Sequence, residues 1–290
     1  MQNYYYKQVQ FGPGGITPAV RTILAANVAV FILTSIAGLV DRFYGSDILS
    51  FIILRLGISP KLCLGGLHIW QPLTYMFLHS GLFHIFFNML MLWMFGVEVE
   101  RRMGTRVFVI FYFFCGLGAG LFSLAFNSGM FAIGQSLSMT VPASLWSAPT
   151  IGASGAIFGV MLAFGLLFPD RMILLFFVFP VPALYFVIGL CFFELYYLIF
   201  MQGGGISYAA HVGGMLFGFL FLRNPATITR AVGGAAGKLV KPAERDDYYD
   251  AASAQKKVDA ILDKINREGI HRLTRAERAF LREHIRRQKH

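Results

Sequence analysis

The 290-residue chain is 56% hydrophobic, its mean hydropathy is +0.61 and only 14% of its residues are charged, against about 25% in ordinary soluble domains. No aqueous fold has an interior large enough for that much apolar surface, which excludes a soluble enzyme, a disordered protein and a nucleic-acid-binding domain as the main body. The net charge of +10 is unevenly placed: residues 223–290 hold 16 Lys/Arg and 9 Asp/Glu, residues 1–222 hold 9 and 6, and no charged residue stands between Arg106 and Asp170. A membrane body followed by a basic, water-soluble tail is therefore expected. Three cysteines (Cys63, Cys115 and Cys191) lie far apart in apolar surroundings, so neither a disulfide framework nor a CxxC metal site is built from them.

A helix needs roughly 20 apolar residues to cross the hydrocarbon core. Six stretches qualify or nearly qualify: 21–40, 83–99, 107–126, 154–168, 174–200 and 207–222. The first reads as a retained anchor rather than a cleaved signal peptide, given its long polar flank, its interior Asn27 and its length. Pro180 and Pro182 break or displace the start of the fifth. The expected fold is all-α, a polytopic bundle of six transmembrane helices. The expected organisation is a cytoplasmic segment 1–20, a membrane domain 21–223, a linker 224–255 and a helical hairpin 256–290. Six spans put both termini on one side. Lys7, Arg21, Arg101, Arg102, Arg106, Arg171, Arg223, Arg230, Lys238 and Lys241 share that side, against Arg42, Arg55 and Lys61 opposite, which places the termini in the cytoplasm. Two outer loops follow, 41–82 with an interfacial Leu67-His68-Ile69-Trp70, and an uncharged 127–153 rich in Gly, Ser, Ala and Pro.

Polar residues inside membrane spans are rare and mark function. The second span opens with His79-Ser80-Gly81-Leu82-Phe83-His84 and continues to Asn88, which shares a helix face with His84. The fourth opens with Gly152-Ala153-Ser154-Gly155 and the sixth with Ala209-Ala210-His211. All three start from the outer side, so these groups converge at one depth, some way below the outer surface. Gly155, Gly159 and Ala163 recur every four residues, as do Ala210, Gly214 and Gly218, and such small faces let helices approach closely. A serine beside a histidine is the minimum for nucleophilic catalysis. The developing oxyanion then needs donors, which the Ser154 backbone N–H, His84 and Asn88 can supply. Glu194 reads as paired or as facing a polar crevice.

These residues resemble the rhomboid family of intramembrane serine proteases. The likeness runs through Gln71-Pro72-Leu73-Thr74, His79, His84, Asn88, Glu98, Glu100 and Arg101, through Gly152-Ala153-Ser154-Gly155-Ala156-Ile157-Phe158-Gly159, and through Ala210-His211-Val212-Gly213-Gly214, in order, over about residues 20–223. The resemblance implies Ser154 as nucleophile and His211 as general base in a dyad with no acidic third member. It implies Phe158 packed under His211, an oxyanion hole of His84, Asn88 and the Ser154 backbone beside Gly152, and a structural His79. It further implies substrates that are transmembrane proteins, cleaved near the outer end of the segment, with access gated by the fifth span and the loop before the sixth. One departure is Trp70-Gln71, where the family often has Trp-Arg.

In the tail, Val258, Ile261, Leu262 and Ile265 have helical spacing, Gly269 ends that helix, and Thr274 and Glu277 form a capping box before Ala279, Phe280, Leu281 and Ile285. Its basic residues suit membrane lipids or a cytoplasmic partner, or a solubilising role alone. The overall expectation is an integral protein of a bacterial inner membrane that needs no cofactor, metal or nucleic acid. The alternatives are a non-catalytic relative that binds membrane proteins, disfavoured because both Ser154 and His211 are present, and a transporter, disfavoured by the lack of internal repeats. A metalloprotease lacks its HExxH motif.

Overall fold

The computed structural model describes residues 13–175, 178–200, 207–224, 258–274, 277, 278, 280 and 281. The chain divides into two units, Met1–Val240 and Lys241–His290. The expected N-terminal segment up to residue 12, the linker from residue 225 to 255 and the Arg-rich end from 282 lie outside the described residues.

The first unit is a helical membrane bundle. Its elements are α1 (Pro18–Tyr44), α2 (Ile48–Leu56), α3 (Gln71–Thr74), α4 (Leu82–Met91), α5 (Val97–Met103), α6 (Thr105–Ser136), α7 (Ser144–Ser147), α8 (Ser154–Leu167), strands β1 (Met172–Leu175) and β2 (Phe179–Pro182), α9 (Ala183–Phe200) and α10 (Tyr208–Arg223). A π-helical turn, Leu92–Gly96, joins α4 to α5, so Leu82–Met103 runs as one span. Among the described residues, Pro18–Tyr44, Leu82–Met103, Thr105–Ser136 and Ala183–Phe200 are long and apolar enough to cross a membrane, while Ser154–Leu167 and Tyr208–Arg223 are shorter. At 1.5 Å per residue α8 spans about 21 Å and α10 about 24 Å. These two short helices and the long α6 form the buried centre, and the other three spans lie more exposed around them.

Glycine decides how closely the centre packs. A Cβ on Gly214 would fall 1.8 Å from the Gly155 carbonyl oxygen, and one on Gly159 would fall 2.6 Å from Cys115 Sγ of α6. The backbones of α8 and α10 thus touch where the small residues recur.

Helix α1 starts at Pro18, where a missing N–H costs nothing. The buried Glu100 carboxylate of α5 then accepts the free N–H groups of Ala19 (3.0 Å) and Val20 (2.9 Å) and a hydroxyl bond from Thr105 (2.8 Å). Thr17 Oγ1 donates to it as well. One carboxylate so pins the start of α1 to the junction of α5 and α6, where the helix dipole favours negative charge.

The segment before α4 is anchored by Gln71, which is fully buried. Its Nε2 donates to the Leu54 carbonyl at 3.0 Å, while Thr74 Oγ1 donates to Leu56 O at 2.7 Å and Trp70 Nε1 to Arg55 O at 2.8 Å. The Gln71 amide thus ties this segment to the last turn of α2.

Two expectations are corrected. Helix α6 does not end near 126 but runs to Ser136, so the outer connection is 137–153 rather than 127–153. The apolar run resumes after Asn127 and Ser128, and the chain then folds back so that Val141 covers Gly134, whose added Cβ would meet Val141 Cγ1 at 2.2 Å. The fifth span begins at Ala183 and not at 174, because β1 and β2 pair as an antiparallel hairpin ahead of it. Pro180 and Pro182 cannot donate helix bonds, and the helix starts after the second of them.

In the second unit, residues 258–268 are helical, Gly269 takes a left-handed φ of 85° and Ile270–Arg272 form a 3₁₀ turn. The capping box at Thr274 forms reciprocally: Thr274 N donates to Glu277 Oε2 at 2.7 Å and Glu277 N to Thr274 Oγ1 at 3.2 Å. The first of these bonds, with Lys264 Nζ at 3.0 Å, holds the Glu277 carboxyl below its usual range.

Candidate active site

Ser154 is the first residue of α8 and His211 lies in the first turn of α10. Ser154 Oγ and His211 Nε2 lie 2.9 Å apart, within hydrogen-bond distance. Phe158, one turn along α8, lies flat under the imidazole, with ring centroids 4.0 Å apart and planes 11° apart. Ser154 and Phe158 share a helix face through their i, i+4 spacing. One helix therefore supplies both the partner of His211 and the surface that holds its plane.

Gly152 precedes α8 with φ of 127°, and its N–H donates to the Tyr75 carbonyl at 2.9 Å. A Cβ there would stand 2.8 Å from His84 Nε2 and 3.7 Å from Ser154 Oγ. His84 Nε2 and Ser154 Oγ thus bracket one small space at the Gly152 backbone. The Ser80 N–H points at His84 Nδ1 at 3.3 Å, which makes Nδ1 an acceptor and leaves the ring proton on Nε2, facing that space. Asn88 lines the same cavity, but its Nδ2 donates to the carbonyl of His84 at 3.0 Å, so one of its two N–H groups is already engaged. His79 is buried, edge-on to the His84 ring at 4.9 Å, and does not line the cavity.

The cavity has a volume of about 970 Å³. Ser154, His211, His84 and Asn88 are among its polar lining residues, and Phe87, Met161 and Tyr197 are among its apolar walls. Most of the surface that lines it is apolar.

The structure adds a residue. The second imidazole nitrogen, His211 Nδ1, lies 2.9 Å from Glu194 Oε2 of α9. Glu194 is 4% exposed. Of the two readings of Glu194, paired or facing a polar crevice, the structure shows the paired one, and its partner is His211. The available signal was that Glu194 is the single charged residue between Arg171 and Arg223. Among the described residues no group of three or more His, Cys, Asp and Glu is arranged to hold a metal ion.

The family described as "Rhomboid domain" matches residues 66–223, and a family of unknown function (DUF6576) matches residues 246–287. The chain is 34% identical over 148 residues to "Rhomboid protein 1, mitochondrial" of Saccharomyces cerevisiae, covering 50% of this chain and 38% of that protein. It is 27% identical over 227 residues to "Rhomboid protease GlpG" of Yersinia pestis, covering 76% of this chain and 66% of that protein. It is also 37% identical over 70 residues to "Inactive RHOMBOID-like protein 8" of Arabidopsis thaliana, covering 24% of this chain and 20% of that protein. The matched stretch spans less than half the length of the yeast relative. The rhomboid match covers more than half of the chain, and the chain belongs to the rhomboid family of integral membrane proteins.

Proposed function

We propose that this protein is an intramembrane serine protease that hydrolyses a peptide bond in or near the transmembrane segment of a membrane protein. The observation that carries the proposal is the 2.9 Å contact between Ser154 Oγ and His211 Nε2, two residues that line one cavity inside an apolar bundle.

In the reaction, Ser154 Oγ attacks the scissile carbonyl carbon as its proton passes to His211 Nε2. The carbonyl π pair moves onto the oxygen, which settles at the Gly152 backbone. There His84 Nε2–H and the N–H groups at the start of α8 meet it. When the tetrahedral species collapses, the C–N bond breaks and the proton on Nε2 goes to the leaving amine. Water enters the cavity, is deprotonated by the same nitrogen and releases the acyl group, and Oγ regains its proton. Phe158 keeps the imidazole in the plane that both transfers need. Burying the chemistry among membrane helices strengthens each polar contact. Both termini lie on the cytoplasmic side of a bacterial cell membrane, from the Lys/Arg asymmetry, and the substrate enters between α4 and α9, whose Phe87 and Tyr197 face the cavity.

The test is cleavage of a single-span substrate by purified protein in detergent. Ser154→Ala and His211→Ala each abolish cleavage while the melting temperature stays near that of the unaltered protein. A folded Ser154→Ala variant that cleaves at an undiminished rate ends the proposal.

A further inference from the structure

Glu194 has no task in the reaction as written above, yet the chain places a carboxylate inside a membrane helix, where charge is rare and costly. It stands near the middle of α9, whose other seventeen residues are uncharged. The helix is otherwise a sheath: its buried residues are Ala183, Val187, Glu194 and Leu198. Their spacings of four, seven and four put them on one face. The polar group of α9 is therefore turned into the bundle.

The packing on either side keeps it there. One turn before Glu194, Cys191 Sγ lies 3.4 Å from Met215 Sδ, and Met215 sits one turn after His211. On the other side, the rings of Tyr197 and Tyr208 stack with centroids 5.1 Å apart, Tyr208 being three residues before His211. Helices α9 and α10 are thus clamped above and below the Glu194–His211 contact. Across it, Ser154 Oγ, the two imidazole nitrogens and Glu194 Oε2 form a chain with two gaps of 2.9 Å.

We propose that Glu194 is a positioning residue of the reaction, the acidic third member of a Ser154–His211–Glu194 triad. The inference rests on the reading of Ser154 as nucleophile and His211 as base. The carboxylate accepts Nδ1–H, which selects the tautomer whose Nε2 lone pair faces Ser154. When Nε2 takes the serine proton, the imidazolium forms against an anion that is already in place. No proton passes to Glu194, and the proton on Nε2 goes on to the leaving amine. A contact that served only to tie α9 to α10 would hold the helices together without acting on turnover.

The test uses the full chain in detergent and reads kcat, KM, the rate at which a fluorophosphonate labels Ser154, and the melting temperature. Glu194→Gln removes the charge at constant size. The expected result is a kcat at least about 10²-fold lower, with labelling slowed in parallel, as when the acid of a triad is removed. KM stays within about twofold and the melting temperature is unchanged. Glu194→Asp restores at least tenfold of the lost kcat. A Gln variant with kcat within twofold of the unaltered protein overturns the inference, and so does a kcat loss that follows the melting temperature with no rescue by Asp. Should the Gln variant not fold, nuclear magnetic resonance of the unaltered protein labelled with ¹⁵N-histidine decides. A downfield Nδ1–H signal that disappears in His211→Ala supports the inference, and a His211 proton found on Nε2 overturns it. Ser154→Ala runs in parallel: if it cleaves, the serine-protease reading falls. If it is dead while Glu194→Gln is fully active, only the role of Glu194 falls.

Discussion

Phe158 carries His211 on its face: the two rings are 4.0 Å apart and within 11° of parallel, and Phe158 is one helical turn from Ser154. The stacking removes rotation of the imidazole out of the Ser154 direction. Phe158→Ala should therefore lower kcat by about 10- to 100-fold, the scale of a misplacement near 1 Å. Phe158→Tyr should stay within a few-fold because the ring face is kept. Steady-state kinetics on the single-span substrate check both.

Gly152→Ala should act on turnover more than on the fold. The new Cβ would enter the space between His84 Nε2 and Ser154 Oγ, and the φ of 127° is one that side-chain-bearing residues rarely adopt. Losing one oxyanion donor costs about 10²–10³ in rate in a favourable soluble case. A loss of that order is expected for Gly152→Ala, and a smaller one for His84→Ala or Asn88→Ala, since the remaining donors are kept. The measurement is kcat with KM followed separately.

Gly214→Ala and Gly189→Ala form a matched pair. At Gly214 a methyl would sit 1.8 Å from the Gly155 carbonyl oxygen, so α8 and α10 must separate. A loss of about 1–3 kcal/mol or more is expected from the overpacking, with cleavage falling because Ser154 and His211 ride on those helices. At Gly189 nothing lies within 4 Å, and alanine should be neutral or slightly stabilising. Thermal unfolding of the two variants in the same detergent checks the contrast.

Glu100→Gln should destabilise the bundle far from the chemistry. The carboxylate takes four donors, from Ala19, Val20, Thr17 and Thr105, and is 1% exposed. Whichever oxygen it replaces, the amide presents N–H to one backbone N–H and one hydroxyl that already donate there, which costs about 1–3 kcal/mol for a buried unmet group. The expected readout is a lower melting temperature, with kcat of the folded fraction near that of the unaltered protein.

Topology has its own test. In a cysteine-free background, single cysteines placed at residues 139–150 should react with an impermeant thiol reagent in intact cells, and those at 258–268 should not. Labelling of the tail positions would reverse the orientation drawn from the Lys/Arg asymmetry.

Much was legible in the sequence because a bilayer imposes simple rules. Hydropathy alone marks the apolar helices, since each must satisfy its own backbone across the membrane. The residues that ring the cavity also stood out, because Ser154, His211, His84 and Asn88 are polar groups at the starts of otherwise apolar runs. The glycine spacing of 155, 159, 214 and 218 announced close packing, because no other residue lets two helix backbones touch.

Other features waited for the tertiary structure. Helix α9 is apolar nearly all round, so its sequence has no contrast from which to read an inward face. Whether Glu194 points at lipid, at a crevice or at His211 depends on how α9 crosses α10, seventeen residues and a chain reversal away. The end of α6 was hidden for a like reason, since Asn127 and Ser128 read as a loop until Val141 is seen to fold back over Gly134. Gln71 could be judged only once its side chain was seen beneath the Leu54 carbonyl. Local sequence determines which segments enter the membrane and which residues are polar there. Which polar group meets which is decided by helix crossings, because those contacts join residues that no period of 2 or 3.6 can relate.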